Sequence, residues 1–297
     1  MVSQTTNSVT LSEQSVPKEK PQHSRTWRAF WHHPLGLLGV IGLVIIVLFC
    51  FVGPIVYPAS AYATHISDLM KPPSARFPLG TDDLGRNYLA RLMLGGQVSL
   101  IVGFAAAVAS MIIGVGYGLV SGLAGGFLDG LMMRIIDVLL TIPALFVLLF
   151  LDAVFQPNAF LLTLILAVTS WFGVTRIVRS EVLSLKSRDY VEASRAFGAN
   201  KWHIMVRGLL PNVMGTVMVA TIFQIAASII AIATLSFLGL GLPAPAPNWG
   251  EMLSTSMNYM FQNAWWLIYP PGIALLWTLL SINFISEALQ SALDTRL

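Results

Sequence analysis

Long apolar runs alternate with polar stretches along the whole chain. The first run, residues 35–56, carries no charged side chain over 22 residues, enough for a helix that crosses the ~30 Å hydrocarbon core of a bilayer. Five later runs are also long and predominantly apolar, although the third and the sixth contain charged residues. The pattern predicts six membrane-spanning helices, within residues 35–56, 98–124, 127–155, 159–175, 213–240 and 267–289.

The composition agrees with a membrane location. Of the 297 residues, 56% are hydrophobic and 10% are charged, whereas soluble domains carry about 25% charged residues. We therefore predict the fold class as all-α, a polytopic membrane protein. The single cysteine, Cys50, excludes a disulfide within the chain.

A signal peptide is the alternative interpretation of the first run, because Ala59, Ala61 and Ala63 follow it in small-x-small spacing. Signal peptides have apolar cores of about 7–15 residues. The first run is longer than that, so an uncleaved membrane anchor is favoured.

The polar stretches contain none of the common catalytic patterns. The phosphate-binding pattern G-x-x-x-x-G-K-[ST] is absent, and so are H-E-x-x-H and G-x-S-x-G. His32 and His33 are adjacent and do not share a helix face, which disfavours a metal site there. We expect a non-catalytic chain that itself binds no cofactor, metal or nucleic acid.

Four glycines recur at every fourth residue around the second run, at Gly114, Gly118, Gly122 and Gly126. On a helix they would line one face, and small residues at this spacing let a second helix backbone approach closely. We interpret the row as a helix-packing surface rather than as part of a substrate path.

Ionisable side chains are few in the apolar runs. Arg134 and Asp137 are three residues apart and are predicted to neutralise each other near the membrane edge. Pro143 is predicted to kink the third span, and residues 152–158 are predicted as a turn. Carriers driven by ion gradients usually hold ionisable groups deep in their spans. Uphill transport by this chain would therefore draw energy from a partner.

Residues 176–211 form a basic stretch between the fourth and fifth runs. It holds seven of the 17 lysines and arginines, namely Arg176, Arg179, Lys186, Arg188, Arg195, Lys201 and Arg207. A cytoplasmic loop that only sets membrane orientation would carry the same charge. The basic residues alone therefore do not indicate a binding site.

Within this stretch the pattern predicts two short helices with a sharp bend between them. Ser187 is a candidate N-cap of the first helix, and Tyr190 and Phe197 fall on one of its faces. Glu192 can pair with Arg195, three residues on.

Gly198 follows the first helix where a left-handed residue would end it. Asn200 is a candidate N-cap of the second helix, and Pro211 predicts a kink or a fresh start after it. The apolar positions of the second helix are predicted at Trp202, Met205, Val206 and Leu209.

Three other polar segments are more weakly patterned. Residues 1–20 are predicted to be a disordered tail, and residues 25–33 a segment at the membrane surface. Residues 80–87 read G-T-D-D-L-G-R-N and predict a turn. The turn would lead into an amphipathic helix with apolar positions at Leu84, Tyr88, Leu89 and Leu92. Residues 241–253, rich in proline, predict a rigid loop.

The basic residues predict the orientation in the membrane. With an internal N-terminus, six spans place 13 lysines and arginines inside and 4 outside, as the positive-inside rule requires. Both termini and the basic stretch are then predicted to be cytoplasmic.

The predicted bend carries a resemblance to a known family. The chain resembles the EAA loop of bacterial ABC importer permeases, whose pattern is E-A-A, three residues, G, nine residues, I, one residue and L-P. The matching residues are Glu192, Ala193, Ser194, Gly198, Leu210 and Pro211. Ser194 replaces the second alanine, and Gly208 stands at the isoleucine position.

Three further motifs resemble the dipeptide, oligopeptide and nickel branch of these permeases. Residues 80–87 are similar to its G-T-D-x-x-G-R-D signature, with Asn87 in place of the final aspartate. Residues 247–253 match its P-x-W-G-x-M-L pattern, and residues 292–295 are similar to its A-L-D-P ending, with Thr295 in place of proline.

The resemblance implies the type I ABC importer transmembrane fold over about residues 35–294. It divides the chain into a cytoplasmic tail and interfacial segment (1–33), a first transmembrane helix (34–57), an external loop (58–97), a permease core (98–290) with a coupling loop at 187–211, and a C-terminal tail (291–297). In this family the short helix at the EAA loop docks in a groove of the ATPase subunit. The implied contact residues are Tyr190, Glu192, Ala193, Ser194, Arg195, Phe197, Gly198, Leu210 and Pro211.

The resemblance also implies partners and a cargo. The partners would be a second related permease, two subunits that bind ATP and magnesium, and an external substrate-binding protein, all at the bacterial inner membrane. Small peptides are the leading cargo, with nickel or a metal chelate as the alternative. A secondary carrier without ATPase partners and a structural scaffold remain open as other classes.

Overall fold

The computed structural model describes residues 30–155 and 158–294, and every named element in these residues is a helix. The predicted tail at residues 1–20, most of the predicted surface segment at 25–33, and Thr295 lie outside the described residues. The predicted all-α fold is confirmed.

Twelve labelled helices follow one another along the described residues. They are α1 (Pro34–Phe51), α2 (Gly53–Val56), α3 (Tyr88–Ala124), α4 (Gly126–Thr141), α5 (Ala144–Phe155), α6 (Ala159–Ser170), α7 (Phe172–Leu185), α8 (Asp189–Ala196), α9 (Lys201–His203), α10 (Leu210–Phe237), α11 (Trp249–Met257) and α12 (Trp265–Asp294). A π-helical segment, Ile204–Leu209, joins α9 to α10 without a break.

By length and composition, four helices can cross a membrane, and two bent pairs raise the number to six if each pair is one span. The four are α1, α3, the continuous helix Lys201–Phe237 and α12. The pair α4–α5 bends by 76° around Pro143, and the pair α6–α7 bends by 44° around Trp171. The predicted six spans correspond to this upper number, and the predicted kink lies at Pro143.

The helix α3 runs without interruption for 37 residues, a length of about 55 Å. Asn87 caps its start, since its side chain accepts a hydrogen bond from the N–H of Ala90 at 3.0 Å. The predicted helix at Tyr88, Leu89 and Leu92 is present, but it forms the first part of α3, ahead of the predicted span start at residue 98. Leu84 lies before the helix, and α3 continues from Tyr88 straight into the span.

Two other predicted boundaries were wrong for a similar reason. Residues 152–158 were predicted as a turn, but α5 continues through Asp152 to Phe155. The fourth span was predicted to end at residue 175, but α7 continues to Leu185. In both places one side chain contacts a residue far along the chain, since Asp152 accepts the N–H of Gly241 and Arg176 donates to Asp137.

Three glycines of α3 form the surface on which α7 packs. An added Cβ at Gly118 would lie 2.9 Å from the carbonyl oxygen of Thr175. Added Cβ atoms at Gly114 and Gly122 would approach Val174 and Val182 to 2.9 Å and 2.6 Å. Only glycine leaves room for this helix contact.

Gly126 does not belong to this row, so that part of the prediction was wrong. The helix α3 has ended at Ala124, and Gly126 has a φ of 56°. An added Cβ there would meet nothing within 4 Å. The four-residue spacing of the glycines in the sequence therefore continues one glycine beyond the end of the helix.

A second glycine row, not predicted from the sequence, places α1 against α12. An added Cβ at Gly39 would lie 2.6 Å from the carbonyl oxygen of Ser281. The indole Nε1 of Trp277 donates to the carbonyl oxygen of Gly42 at 3.2 Å. These contacts therefore hold the first span, α1, against the last span, α12.

The G-T-D-D-L-G-R-N segment folds the loop before α3 against the bundle. Gly80 and Gly85 have φ values of 69° and 70°, and Thr81 pairs with Asn87 in an isolated antiparallel bridge. Asp82 accepts the backbone N–H of Arg86 at 2.9 Å and also the side-chain Nε of Arg86 at 2.6 Å. The predicted turn is present, and its charges hold it together.

The proline-rich segment contains the helix α11, where the sequence predicted only a rigid loop. That prediction was wrong because the prolines precede the helix, which begins at Trp249. Trp249 is fully buried, and its Nε1 donates to the carbonyl oxygen of Leu92 at 3.1 Å. An added Cβ at Gly250 would lie 2.3 Å from the carbonyl oxygen of Ala233. The P-x-W-G-x-M-L motif is thus a packing element.

Candidate coupling site

Residues 187–211, here called the elbow, connect α7 to the helix that contains α10. The elbow lies at the end of the bundle where α3 finishes, because Lys186 Nζ donates to the carbonyl oxygen of Gly122 at 3.0 Å. The opposite end carries residues 58–87 and α11 and is called the loop end.

The bend of the elbow is built at Gly198. Its φ is 80°, which glycine adopts without strain. The N–H of Gly198 donates to the carbonyl oxygen of Arg195 at 2.9 Å, and the N–H of Ala199 donates to that of Ser194 at 3.0 Å. This pair of hydrogen bonds is the Schellman motif, which ends a helix at a left-handed residue. The left-handed residue predicted at Gly198 is confirmed.

One of the two predicted caps is formed. The Asn200 side chain accepts the N–H of His203 at 2.7 Å, as predicted. The predicted Ser187 cap was wrong, since the N-cap of α8 is Arg188 and no side chain bonds there. The Ser187 hydroxyl donates backwards instead, to the carbonyl oxygen of Ser184 at 3.0 Å.

Pro211 is accommodated by a wide helical turn. Proline has no N–H to donate to the carbonyl four residues earlier. In the preceding π-helical segment, the N–H of Leu210 donates to the carbonyl oxygen of Met205, five residues back. Regular α-helical hydrogen bonding therefore begins at Leu210, and the π-helical segment runs into α10 without a break.

The inner side of the elbow is buried against the bundle. Val191, Ile204 and Leu209 are each at most 3% exposed. They share one apolar cluster with residues of α3, α7 and α10, including Leu119, Val178, Val182 and Val213. A displacement of the elbow must therefore move these helices with it, because packed interiors transmit strain.

The predicted apolar face of the second helix was only partly right. Leu209 is buried, but Trp202 is 69% exposed and Val206 is 37% exposed. Ile204, which the prediction left out, is buried in their stead. The π-helical turn changes the phase of the helix, so a 3.6-residue period misassigns its faces.

The outer side of the elbow exposes aromatic rings. Phe197 is 92% exposed, Trp202 69% and Tyr190 42%. Burying a large apolar side chain contributes about 1.5–3 kcal/mol relative to leaving it in water. Aromatic anchors of this kind dominate many protein interfaces, so the outer side is a candidate docking surface.

The remaining predicted contact residues lie on or near this outer side. Glu192, Ala193, Arg195 and Pro211 are exposed, while Ser194 and Leu210 are half-buried. The Ser194 hydroxyl donates to the carbonyl oxygen of Tyr190 at 2.7 Å, within its own helix. Among the ion pairs of the described residues, none joins Glu192 to Arg195, so the predicted pairing is not formed.

A group of polar contacts, not predicted from the sequence, holds α8 to the start of α10. Asn212 Nδ2 donates to the carbonyl oxygen of Gly208 at 2.6 Å and to the Tyr190 hydroxyl at 3.3 Å. The Tyr190 hydroxyl donates to the same carbonyl at 3.4 Å. The signal in the sequence was the spacing of Gly208 and Asn212, four residues apart around a proline.

Three residues of the basic stretch have structural roles. Arg176 pairs with Asp137, and Arg179 pairs with Asp129 at 2.6 Å. Lys186 bonds to α3 as described above. The predicted pairing of Arg134 with Asp137 was wrong, because the continuation of α7 brings Arg176 to that carboxylate.

The other four basic residues lie on the elbow itself, and all are exposed. They are Arg188, Arg195, Lys201 and Arg207. In the described ranges, no carboxylate forms an ion pair with any of them. The elbow also carries two exposed carboxylates, Asp189 and Glu192, so it presents a net positive charge together with the exposed aromatic rings.

The described residues contain no group of three or more His, Cys, Asp or Glu side chains that could hold a metal ion. The elbow thus has one side with exposed aromatic rings and basic residues and an opposite side packed on the bundle. The fold is that of a multi-pass membrane protein, with four to six candidate spans in the described residues.

Family models and relatives agree with that class. Residues 114–297 match the family described as binding-protein-dependent transport system inner membrane component, and residues 22–73 match the N-terminal transmembrane domain of oligopeptide transport permease C. The chain belongs to this family of transport permeases. It is a type I ABC importer permease by fold.

Curated relatives cover most of the chain. The dipeptide transport system permease protein DppC of Bacillus subtilis (strain 168) is 38% identical over 271 residues, 91% of this chain and 85% of the relative. The oligopeptide transport system permease protein OppC of the same strain is 35% identical over 268 residues, 90% and 88%. The di/tripeptide transport system permease protein DppC of Pseudomonas aeruginosa (strain UCBPP-PA14) is 35% identical over 277 residues, 91% of each.

Proposed function

We propose that this chain is the permease subunit of an ABC importer that moves small peptides across the bacterial inner membrane. The relatives are named for dipeptide, di/tripeptide and oligopeptide transport, which favours peptides over nickel or a metal chelate. Membership of a binding-protein-dependent family favours an importer over a secondary carrier or a scaffold.

The observation that carries the proposal is the two-sided elbow. Its outer side offers Phe197 and Trp202 to a partner, and its inner side is packed on α3, α7 and α10. An ATPase subunit docked on the outer side would move these helices as it closes on ATP. Such rigid-body motion would switch the permease between its inward and outward states.

Both termini and the elbow lie in the cytoplasm under this proposal. The positive-inside rule supports that orientation, with 13 basic residues inside and 4 outside. It also places the elbow on the side of the membrane where ATP is found. The chain has no phosphate-binding pattern, so ATP and magnesium would be bound, and ATP hydrolysed, by the partner subunits.

The complete importer would contain a second related permease, two ATPase subunits and an external binding protein. Residues 57–97 and 241–264, which include the loop end, would face the outside and contact the binding protein. Exchange of exposed residues there should lower peptide uptake without changing basal ATP hydrolysis. Unchanged uptake would argue against contact at the loop end.

The docking surface can be tested by Phe197→Ala and Trp202→Ala in the assembled complex. Both side chains are largely exposed, so their removal should not disturb the fold. We expect weaker co-purification of the ATPase subunits and at least a tenfold loss of ATP-dependent peptide uptake, since interface anchors contribute about 2 kcal/mol or more.

Phe261→Ala is the matched control. Phe261 is also 92% exposed but lies at the loop end, between α11 and α12. It should leave co-purification of the ATPase subunits unchanged. If the Phe197 and Trp202 variants retain their ATPase subunits as well as the control does, the elbow is not the docking surface.

A further inference from the structure

A cavity of about 480 Å³ lies at the loop end, between the end of α5, the end of α10 and the segment that follows α10. Its walls include Asp152, Ser236, residues 239–244 and Glu251. Ligand pockets have volumes of about 300–1,000 Å³. The cavity is therefore large enough for part of a small solute.

Asp152 is the least satisfied charged group in this wall. It is 3% exposed, and its Oδ2 accepts the N–H of Gly241 at 2.9 Å. Its Oδ1 is buried and has no hydrogen-bond partner. In the part of the chain that the structure describes, no lysine or arginine pairs with Asp152. Burial of such a carboxylate is unfavourable unless a cation or donors reach it.

Ser236 adds a second unpaired group beside the same backbone. It is 3% exposed, and its hydroxyl has no hydrogen-bond partner. An added Cβ at Gly241 would lie 2.6 Å from Ser236 Oγ. The hydroxyl and the Asp152 carboxylate therefore both lie next to Gly241.

Glu251, the other carboxylate of the cavity, is already compensated. Arg91 reaches its carboxylate at 3.2 Å, and its backbone N–H is bonded by Asn248 at 3.0 Å. The two acids thus differ. Glu251 has a cation within the chain, whereas Asp152 has one backbone donor and an unused oxygen.

We infer that Asp152, with Ser236 beside it, binds a primary ammonium group at the outer part of the transport path. A primary ammonium donates three hydrogen bonds, and its positive charge would compensate the carboxylate of Asp152, which forms no ion pair within the described residues. If the cargo is a peptide, as proposed above, the natural ligand is its α-ammonium, which has a pKa of about 7.7–8.0 and is charged at neutral pH.

A purely structural role does not account for the same observations. Holding the Gly241 N–H needs one acceptor oxygen, which a neutral amide would also supply. A structural role leaves three features unexplained, namely the negative charge, the unpaired Oδ1 and the unpaired Ser236 hydroxyl. They are explained together if a cationic donor enters from the cavity.

The test uses the complete complex, reconstituted in proteoliposomes with its binding protein and ATP. The two probes are trialanine and lactyl-alanyl-alanine, which has a hydroxyl in place of the ammonium. The measured quantity is the ratio of their maximal uptake rates. The preference of the binding protein is the same for every permease variant, so it cancels when variant and wild type are compared.

We expect Asp152→Asn to reduce this ratio about tenfold, which corresponds to about 1.4 kcal/mol, because the amide cannot make a charge-assisted contact with the ammonium. Asp152→Glu, which keeps the charge, should retain most of the preference. An unchanged ratio in Asp152→Asn, with both probes still taken up, would overturn the inference and leave the proposed function standing. If the wild-type complex neither hydrolyses ATP nor takes up peptide, that result would count against the proposed function instead.

A second pair of variants keeps the test independent of Asp152 folding effects. Ala153 is exposed and lines the same cavity. Ala153→Lys would place a tethered ammonium in competition with the peptide, and Ala153→Met adds similar length without charge. The lysine variant should lower the ratio and the methionine variant should not. Equal ratios in the two variants would exclude an ammonium site.

Discussion

Arg179 donates two hydrogen bonds to the carboxylate of Asp129, from Nε and from Nη2, each at 2.6 Å. The same carboxylate accepts the hydroxyl of Ser121 at 2.5 Å. One acidic side chain therefore connects α3, α4 and α7. Because α7 leads directly into the elbow, this contact connects the elbow to the bent pair α4–α5.

Asp129→Asn should destabilise the protein by about 1.5–3 kcal/mol, the range for hydrogen bonds to charged groups. The side chains of the pair are only 10% and 29% exposed, so water screens them poorly. The free energy of unfolding in mild detergent measures this effect. The number of ATP molecules hydrolysed per peptide transported should also rise, because α3, α4 and α7 no longer move together.

Asp137→Asn is the control for this prediction. It breaks the Arg176–Asp137 pair, whose side chains are 50% and 48% exposed. Exposed pairs contribute about 0–1 kcal/mol, so this variant should remain close to the wild type. Equal losses in the two variants would show that burial does not distinguish the pairs.

Gly118→Ala should separate α3 from α7. The new methyl group would lie 2.9 Å from the carbonyl oxygen of Thr175, which cannot withdraw without bending α7. Overpacking of this kind costs about 1–3 kcal/mol. Gly116→Ala, two residues earlier on the same helix, meets nothing within 4 Å and should be neutral or slightly stabilising. Thermal unfolding of both variants checks the difference.

The sequence predicted the helical class and the bend well because their causes are local. Apolar runs of spanning length need no tertiary information, and Gly198 ends α8 through bonds to its own helix. The N-cap at Asn200 is likewise set within four residues.

The sequence failed where tertiary partners decide. Asp152 and Arg176 looked like boundary residues, but their partners lie 89 and 39 residues away along the chain, at Gly241 and Asp137. Nothing local indicates such partners. The exposed face of Trp202 was also missed, because the π-helical turn before Pro211 changes the helical phase that the pattern assumes.

The loop end should loosen in acid through Asp68. A hydrogen bond from Lys71 at 2.5 Å, with further help from Arg76, lowers the pKa of Asp68 below its usual value. A group with a lowered folded pKa stabilises the fold above its unfolded pKa, about 3.9, and this contribution is lost as the pH falls through the folded value. Lys71→Met should raise that pKa towards the unfolded value, which removes most of this stabilisation and shifts the opening of the loop end to higher pH.

Pepsin cleavage within residues 58–87, followed over an acid pH series, measures this shift. Cleavage of the Lys71→Met variant should begin at a higher pH than cleavage of the wild type. Lys71→Arg keeps the charge and a donor, and should resemble the wild type. If all three proteins open at the same pH, Asp68 does not control the loop.

Two glycines of the elbow should respond in opposite ways to the same substitution. Gly198 has a φ of 80°, so Gly198→Ala strains the backbone by about 1–2 kcal/mol. Gly208 stands where the family pattern has isoleucine, and an added Cβ there would have its nearest contacts at 3.9 Å and 4.0 Å. Gly208→Ala should therefore fit without strain.

We expect Gly198→Ala to lower ATP-dependent peptide uptake by shifting Phe197 relative to α9, while Gly208→Ala leaves uptake near the wild-type rate. Both variants should reach the membrane in normal amounts, which quantitative immunoblotting of membrane fractions checks. Equal uptake by the two variants would mean that the angle set at Gly198 does not govern coupling, and that the exposed aromatic rings bind their partner irrespective of the bend.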